Sequence, residues 1–261
     1  MSEQNRSARS RYEAARAAFD AAFERHLDAG VEFVSRDGIC IDPEVEIAPG
    51  VLILPGTILR GKTRIGAGSV IGPNSLLEDA EVGEQVTFNA SQGRKCVIGD
   101  GATIGPWVQL RPDSVIGKRV HIGDFVEIKS STIGEGTAVA HLTYIGDADV
   151  GRYCNFGCGV VVVNYDGEVK SRTKVGDYCF IGCNTNLVAP VKLGDGVYTA
   201  AGSTITEDLP DGSLGIARTR QTVKEGWAAD KLAAYREKKM RLAQQAAQEH
   251  EPRPADGSKK E

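Results

Sequence analysis

Aliphatic residues return every six positions along most of this chain, and that period decides what the chain can fold into. Ile47, Ile53, Leu59, Ile65, Ile71 and Leu77 fall six apart without a break. So do Ile98, Ile104, Leu110, Ile116, Ile122 and Ile128, and again Val175, Ile181, Leu187 and Leu193. Gly often follows the aliphatic, as in IGAGSV, IGDGAT and LGDGVY, and a small or β-branched residue usually stands four places on. An amphipathic helix repeats near 3.6 residues and a strand every second residue, so neither accounts for six. A six-residue unit suits a short strand plus a corner, with three units closing one triangular coil of about eighteen residues. The aliphatic then points inward, and coils stack at the strand spacing of about 4.8 Å. Glycine is not at every third position, which excludes collagen. The expectation is an all-β chain built as a parallel β-helix.

The repeat resembles that of the hexapeptide acyltransferases, whose coils are left-handed against the usual crossover rule. That resemblance, not the spacing, implies a left-handed parallel β-helix here. The register shortens by one between Leu77 and Val82, between Ile128 and Ile133, and between Ile145 and Val150. Longer excursions are expected at 89–97 and 164–174, where loops leaving a rigid scaffold can carry binding groups. Before the repeats, residues 8–29 read as an amphipathic helix with Tyr12, Ala15, Phe19 and Phe23 on one face and Gly30 as its cap. After Ile205 the pattern stops, leaving an arm, a charged helix over 228–247 and a tail of about a dozen residues expected to be disordered. The expected organisation is a lead-in over 1–38, the β-helix over 39–208, and the arm, helix and tail over 209–261.

A net charge of −4 gives no electrostatic reason to bind nucleic acid. The N-terminus is polar and no apolar run approaches membrane-spanning length, so a cytoplasmic chain with no membrane partner is expected. Its six cysteines should then stay reduced; none has CxxC spacing, and no metal site is expected.

Residues one coil apart share a corner, so side chains can be placed by counting. Arg111 follows Leu110 and Lys129 follows Ile128, one coil later. Their charges should leave the same edge about 5 Å apart. Stacked cations repel, and a phosphate between them would relieve this through charge-assisted hydrogen bonds; the alternative is a pair of solvated surface charges. His141 stands two places after Val139, Cys158 two after Phe156, Cys183 two after Ile181 and Ala201 two after Thr199. The result is a His with a ladder of small side chains rising from it, open to a slender ligand. An imidazole with an unperturbed pKa of about 6.5 suits proton removal from an amine, although a lone His is more often structural. Tyr144 and Asn155 end outward-turning hexads and either hold a polyol or satisfy turn backbone. Asn164-Tyr165-Asp166-Gly167 is a turn signal and, as sequence, no more.

HLTYIGDADVG, NYDG, LVAPVKLGDG, AAGSTIT and QTVKEGW resemble the acetyltransferase half of the bifunctional glucosamine-1-phosphate acetyltransferase/N-acetylglucosamine-1-phosphate uridyltransferase family, over roughly residues 25–230. The resemblance implies acetyl transfer from acetyl-CoA to an amino-sugar phosphate, in a homotrimer whose sites are shared between subunits. It implies His141 as general base, with Glu127 orienting it. Arg111 and Lys129 match the sugar-phosphate clamp, and Tyr144 and Asn155 would hold the sugar. Asn164 and Tyr165 would lie at the acetyl end, with Cys158, Cys183 and Ala201 along the pantetheine arm. Lys170 and Arg218 match positions that meet the coenzyme A phosphates.

Three departures stand out. No uridyltransferase segment precedes the helix, so uridyl transfer and its magnesium site are expected to be absent, which leaves another amino sugar open as acceptor and a separate uridyltransferase open as partner. The family usually has Ala and Ser where Cys158 and Cys183 stand. The C-terminal helix also runs on further than the family's ending. A γ-type carbonic anhydrase shares this scaffold but needs three converging His, and only His121 and His141 lie on the repeats; His26 and His250 fall in the terminal helices. A non-catalytic scaffold paralogue is the other alternative, and the presence of His141, Glu127, Arg111 and Lys129 argues against it.

Overall fold

In the computed structural model, which describes residues 3–249, the six-residue period becomes thirty short strands of two to four residues. Every third strand joins the same sheet, giving three parallel sheets of eleven, ten and nine strands that form the faces of a left-handed β-helix of about ten turns. The first sheet begins at Glu32–Phe33, the second at Cys40–Ile41 and the third at Glu46–Ile47. The aliphatics of the repeat point inward and stack: Ile53, Leu59, Ile71, Leu77, Ile122, Ile128, Ile133, Val139 and Ile145 are all fully buried. Burying one such side chain stabilises the fold by about 1.5–3 kcal/mol, so the column holds the coils in register. The small residue four places on also faces inward, at a corner, where its hydroxyl can satisfy corner carbonyls. Ser69 donates to Gly83 O at 3.0 Å and Thr137 to Gly151 O at 2.9 Å, while Thr173 alone among the described side chains is buried without a partner.

The segment 89–97, expected to leave the scaffold, stays in it. Gln92–Arg94 is a strand of the second sheet, pairing with Leu76–Glu78 on one side and Gln109–Leu110 on the other. The inward position belongs to Gly93, because the space is already filled. A Cβ there would stand 2.9 Å from Leu77 Cδ2, 3.1 Å from Cys96 Sγ and 3.6 Å from Phe88 Cζ. The second excursion does leave the scaffold: Val150 pairs with Val175, and between them Tyr165 and Lys170 face each other across a small antiparallel turn. The coil register also runs past Ile205. Leu209 bridges Leu193, and Leu214–Gly215 joins the first sheet beside Tyr198–Thr199.

Helix α1 (Glu3–Asp28) ends at Gly30, whose φ of 88° is the left-handed cap. Only its last turns pack. Ala22, Phe23 and His26 are buried against the first coil, with the Phe23 and Phe33 rings 4.2 Å apart, while Tyr12 and Ala15 lie exposed on the protruding part. A second compact unit begins at Thr219, and α2 (Ala229–Glu249) is its regular element. The tail after it, with His250, lies outside the described residues. Among the described residues no helix is long and apolar enough to cross a membrane.

Candidate active site

The ladder read from the register is present. In the first sheet Val139 pairs with Phe156, Phe156 with Ile181 and Ile181 with Thr199, so the residues two places on are stacked. Backbone hydrogen bonds tie the rungs: Gly159 N to His141 O, Asn184 N to Cys158 O at 2.8 Å and Gly202 N to Cys183 O at 2.8 Å. Cys158 is half-buried, and Cys183 and Ala201 are exposed. The Cys183 thiol leans onto the coil before it, 2.9 Å from where a Cβ on Gly157 would stand. The ladder ends at Arg218, whose Cδ lies over Gly202. Beside it on the same face, Asn155, Phe180, Tyr198 and Leu214 are stacked outward, with the Phe180 and Tyr198 rings 5.4 Å apart.

His141 closes the strand Ala138–His141, and the residue it meets is Asp124. The two are register partners one coil apart, with Nδ1 2.7 Å from Asp124 Oδ1. Glu127, the partner implied by resemblance, is engaged elsewhere. It begins a strand of the second sheet, and its carboxylate accepts from Arg111 Nη1 at 2.8 Å. The bond to His141 holds the Asp124 carboxyl below its ordinary range.

Arg111 and Lys129 do share an edge, with Arg111 N bonded to Ile128 O. Their repulsion is relieved by carboxylates: Glu127 takes Arg111, and Asp147 takes Lys129 at 3.3 Å, where both side chains are less than a fifth exposed. Burial pushes Asp147 up, but hydrogen bonds from Asn164 and Lys129 outweigh it and leave the carboxyl below its usual value. Tyr144 and Asn164 converge on the same place. Gly146 lies directly over Lys129, and a Cβ on it would collide with the Tyr144 hydroxyl and stand 2.9 Å from Asn164 Nδ2. Only Gly leaves room there. Lys170 lies across the small turn from Tyr165, and its charge helps to lower the Asp147 carboxyl. Tyr165 is exposed on the turn.

Between base and cations runs the outer face of the second sheet. A shallow groove of about 380 Å³ lies there, lined by Glu127, Thr143 and Tyr144 and walled by Trp107, Phe125 and Leu142. These three bulky side chains occupy one corner with φ of 56°, 57° and 49°, and all are more than half exposed. Left-handed backbone costs an ordinary residue about 1–2 kcal/mol. Trp107 and Phe125 stack at 5.1 Å, which makes an apolar ridge next to His141. Sequence reasoning missed Asp124, Asp147 and the ridge. For Asp124 a signal existed, since it stands two places after Ile122 as His141 does after Val139.

The bacterial transferase hexapeptide model (six repeats) matches residues 95–130 and 172–207, which lie on the stacked coils. The chain is similar to the bifunctional protein GlmU of Clostridium acetobutylicum, 53% identical over 208 residues that cover 80% of this chain and 46% of that one. GlmU of Clostridium botulinum is 50% identical over 203 residues, covering 78% and 44%. The chain therefore spans about half the length of these curated relatives. Among solved structures, the UDP-N-acetylglucosamine acyltransferase of Francisella novicida is similar at 17% identity and a TM-score of 0.48, over 71% of this chain and 66% of that one. Among the described residues no three His, Cys, Asp or Glu side chains are grouped to hold a metal ion.

Proposed function

We propose that this chain is an N-acetyltransferase that moves acetyl from acetyl-CoA to the amine of glucosamine 1-phosphate. The observation that carries the reading is a single scaffold bearing an imidazole at the foot of an open ladder of small side chains and a stacked cation pair one sheet away. The ladder from Cys158 to Ala201 suits the thin pantetheine arm, with Arg218 at its far end for phosphate. Arg111 and Lys129 take the sugar phosphate, displacing the carboxylates that now satisfy them. Tyr144, Asn155, Asn164 and Tyr165 supply hydrogen bonds to sugar and acetyl groups.

In the step itself the amine nitrogen attacks the thioester carbonyl while His141 takes the N–H proton. The C–N bond forms, the tetrahedral intermediate expels the coenzyme A thiolate, and that thiolate recovers the proton from the imidazolium.

The assembly proposed is a homotrimer with shared sites. Amine and phosphate sit on neighbouring carbons of the sugar ring, whereas His141 and Lys129 close strands of different sheets, with the second-sheet face between them. A neighbouring copy set against the Trp107–Phe125–Leu142 ridge would bring one chain's base to another's cations and cover apolar surface that is otherwise exposed at a backbone cost. The test is thiol release from acetyl-CoA across a panel of amino sugars and their phosphates. Glucosamine 1-phosphate should be the best acceptor, and His141→Ala should lower its turnover by about 10²–10⁴-fold. Preference for a different amino sugar would move the acceptor assignment, and no release with any would end the reading.

A further inference from the structure

We infer that Asp124 is the positioning residue of His141: its carboxylate fixes the imidazole in the one tautomer that leaves Nε2 free to accept a proton. The inference rests on the reading of His141 as the base, but its first support is geometric. Of the thirty strands, only His121–Asp124 and Ala138–His141 run to four residues, and the additional register pair they gain is Asp124 with His141. The backbones under both side chains are thus locked in the ladder, which is the kind of platform a catalytic group needs.

A carboxylate oxygen only accepts, so the Nδ1 that stands 2.7 Å from Asp124 Oδ1 must carry the hydrogen. In the neutral ring Nε2 then holds the lone pair. When that nitrogen takes the amine proton, the imidazolium forms next to a fixed negative charge. Asp124 thereby both selects the tautomer and stabilises the charged state. Among the described residues no other side chain hydrogen-bonds the ring. From the preceding coil Glu127 stands on the second sheet, opposite Tyr144 and not His141, and from the following coil Cys158 offers a thiol, a weak acceptor. Thr143 turns its hydroxyl to the His141 carbonyl at 2.8 Å, away from the ring. The depressed Asp124 carboxyl agrees with a hydrogen bond from the ring. The pair is too exposed to serve as a stability device, since solvent screens surface ion pairs.

The test uses the full chain, ¹⁵N-labelled at histidine, with long-range ¹H–¹⁵N spectra that report which ring nitrogen is protonated. The His141 signal is assigned by its loss in His141→Ala. Wild type should show His141 as the Nδ1–H tautomer. Asp124→Ala should release it toward the Nε2–H form, and Asp124→Asn should keep Nδ1–H because the amide oxygen still accepts. In acetyl-CoA turnover with glucosamine 1-phosphate, Asp124→Ala should lower kcat by about 10²-fold at unchanged KM for both substrates, with Asp124→Asn between it and wild type. An Nε2–H tautomer in wild type, or one that Asp124→Ala does not move, overturns the inference, as does a shifted tautomer with unchanged kcat. The spectra need no substrate, so a positive result there with no acetyl transfer to any amino sugar would sink the proposed function while leaving the positioning intact.

Discussion

If each site joins the base of one chain to the cations of the next, two dead variants should revive each other. Let one chain carry His141→Ala and the other Arg111→Ala with Lys129→Ala. Alone, the first lacks the proton acceptor, which costs about 10²–10⁴-fold in turnover. The second lacks two charge-assisted bonds to phosphate at about 1.5–3 kcal/mol each, or about 10²–10⁴-fold in kcat/KM. In a cyclic trimer holding both chain types, whichever is in excess, one interface of the three places an intact base against intact cations. The other two interfaces lack one or both. Each mixed trimer should therefore turn over at about one third of the wild-type rate, independent of mixing ratio. The assay is co-expression with two different affinity tags, tandem purification so that only mixed assemblies remain, and thiol release at subsaturating acceptor. Turnover no higher than that of the two parents would mean that His141, Arg111 and Lys129 serve the same site within one chain. The shared-site argument from the width of the second sheet would then be wrong.

Removing one cation at a time should separate binding from chemistry: Arg111→Ala or Lys129→Ala should raise KM for glucosamine 1-phosphate far more than KM for unphosphorylated glucosamine, and equal effects on both would show that no phosphate sits there. Cys183, exposed on the ladder, should be the first thiol alkylated by iodoacetamide, ahead of half-buried Cys158 and far ahead of Cys96, which burial pushes up to about 12. Coenzyme A should slow that alkylation and Cys183→Ser should keep most activity; a trapped acetyl-cysteine with a dead Cys183→Ser would instead make the thiol a covalent carrier. Gly93→Ala should destabilise the coil by about 1–3 kcal/mol, because the new methyl meets Leu77, Phe88 and Cys96, and a denaturant midpoint equal to wild type would refute that packing.

The residues that could be placed from sequence are those that obey the repeat. In a stacked coil each inward aliphatic fixes its neighbours' directions, so counting from Val139, Phe156, Ile181 and Thr199 placed His141, Cys158, Cys183 and Ala201 on one column. The same count run one coil downward reaches Asp124 from Ile122, yet resemblance drew attention to Glu127, which the count itself assigns to another sheet. Gly93 escaped because an inward position can be filled by its neighbours' side chains, and a glycine among aliphatics then looks like a break in the pattern. Asn164 and Lys170 lie in the one segment with no register to count. What brings them to Asp147 is the turn closed by Tyr165 and Lys170, together with Arg172, which returns the chain to the scaffold by pairing with Asp149 and donating to the carbonyls of Ser130 and Ala148. Placement by counting thus ends where the chain leaves the coil. The groups that decide which acceptor fits stand on both sides of that limit, with Arg111 and Lys129 countable and Asn164 not. A change of acceptor among relatives should accordingly be carried by the 164–172 turn, while the base and the ladder stay where the repeat puts them.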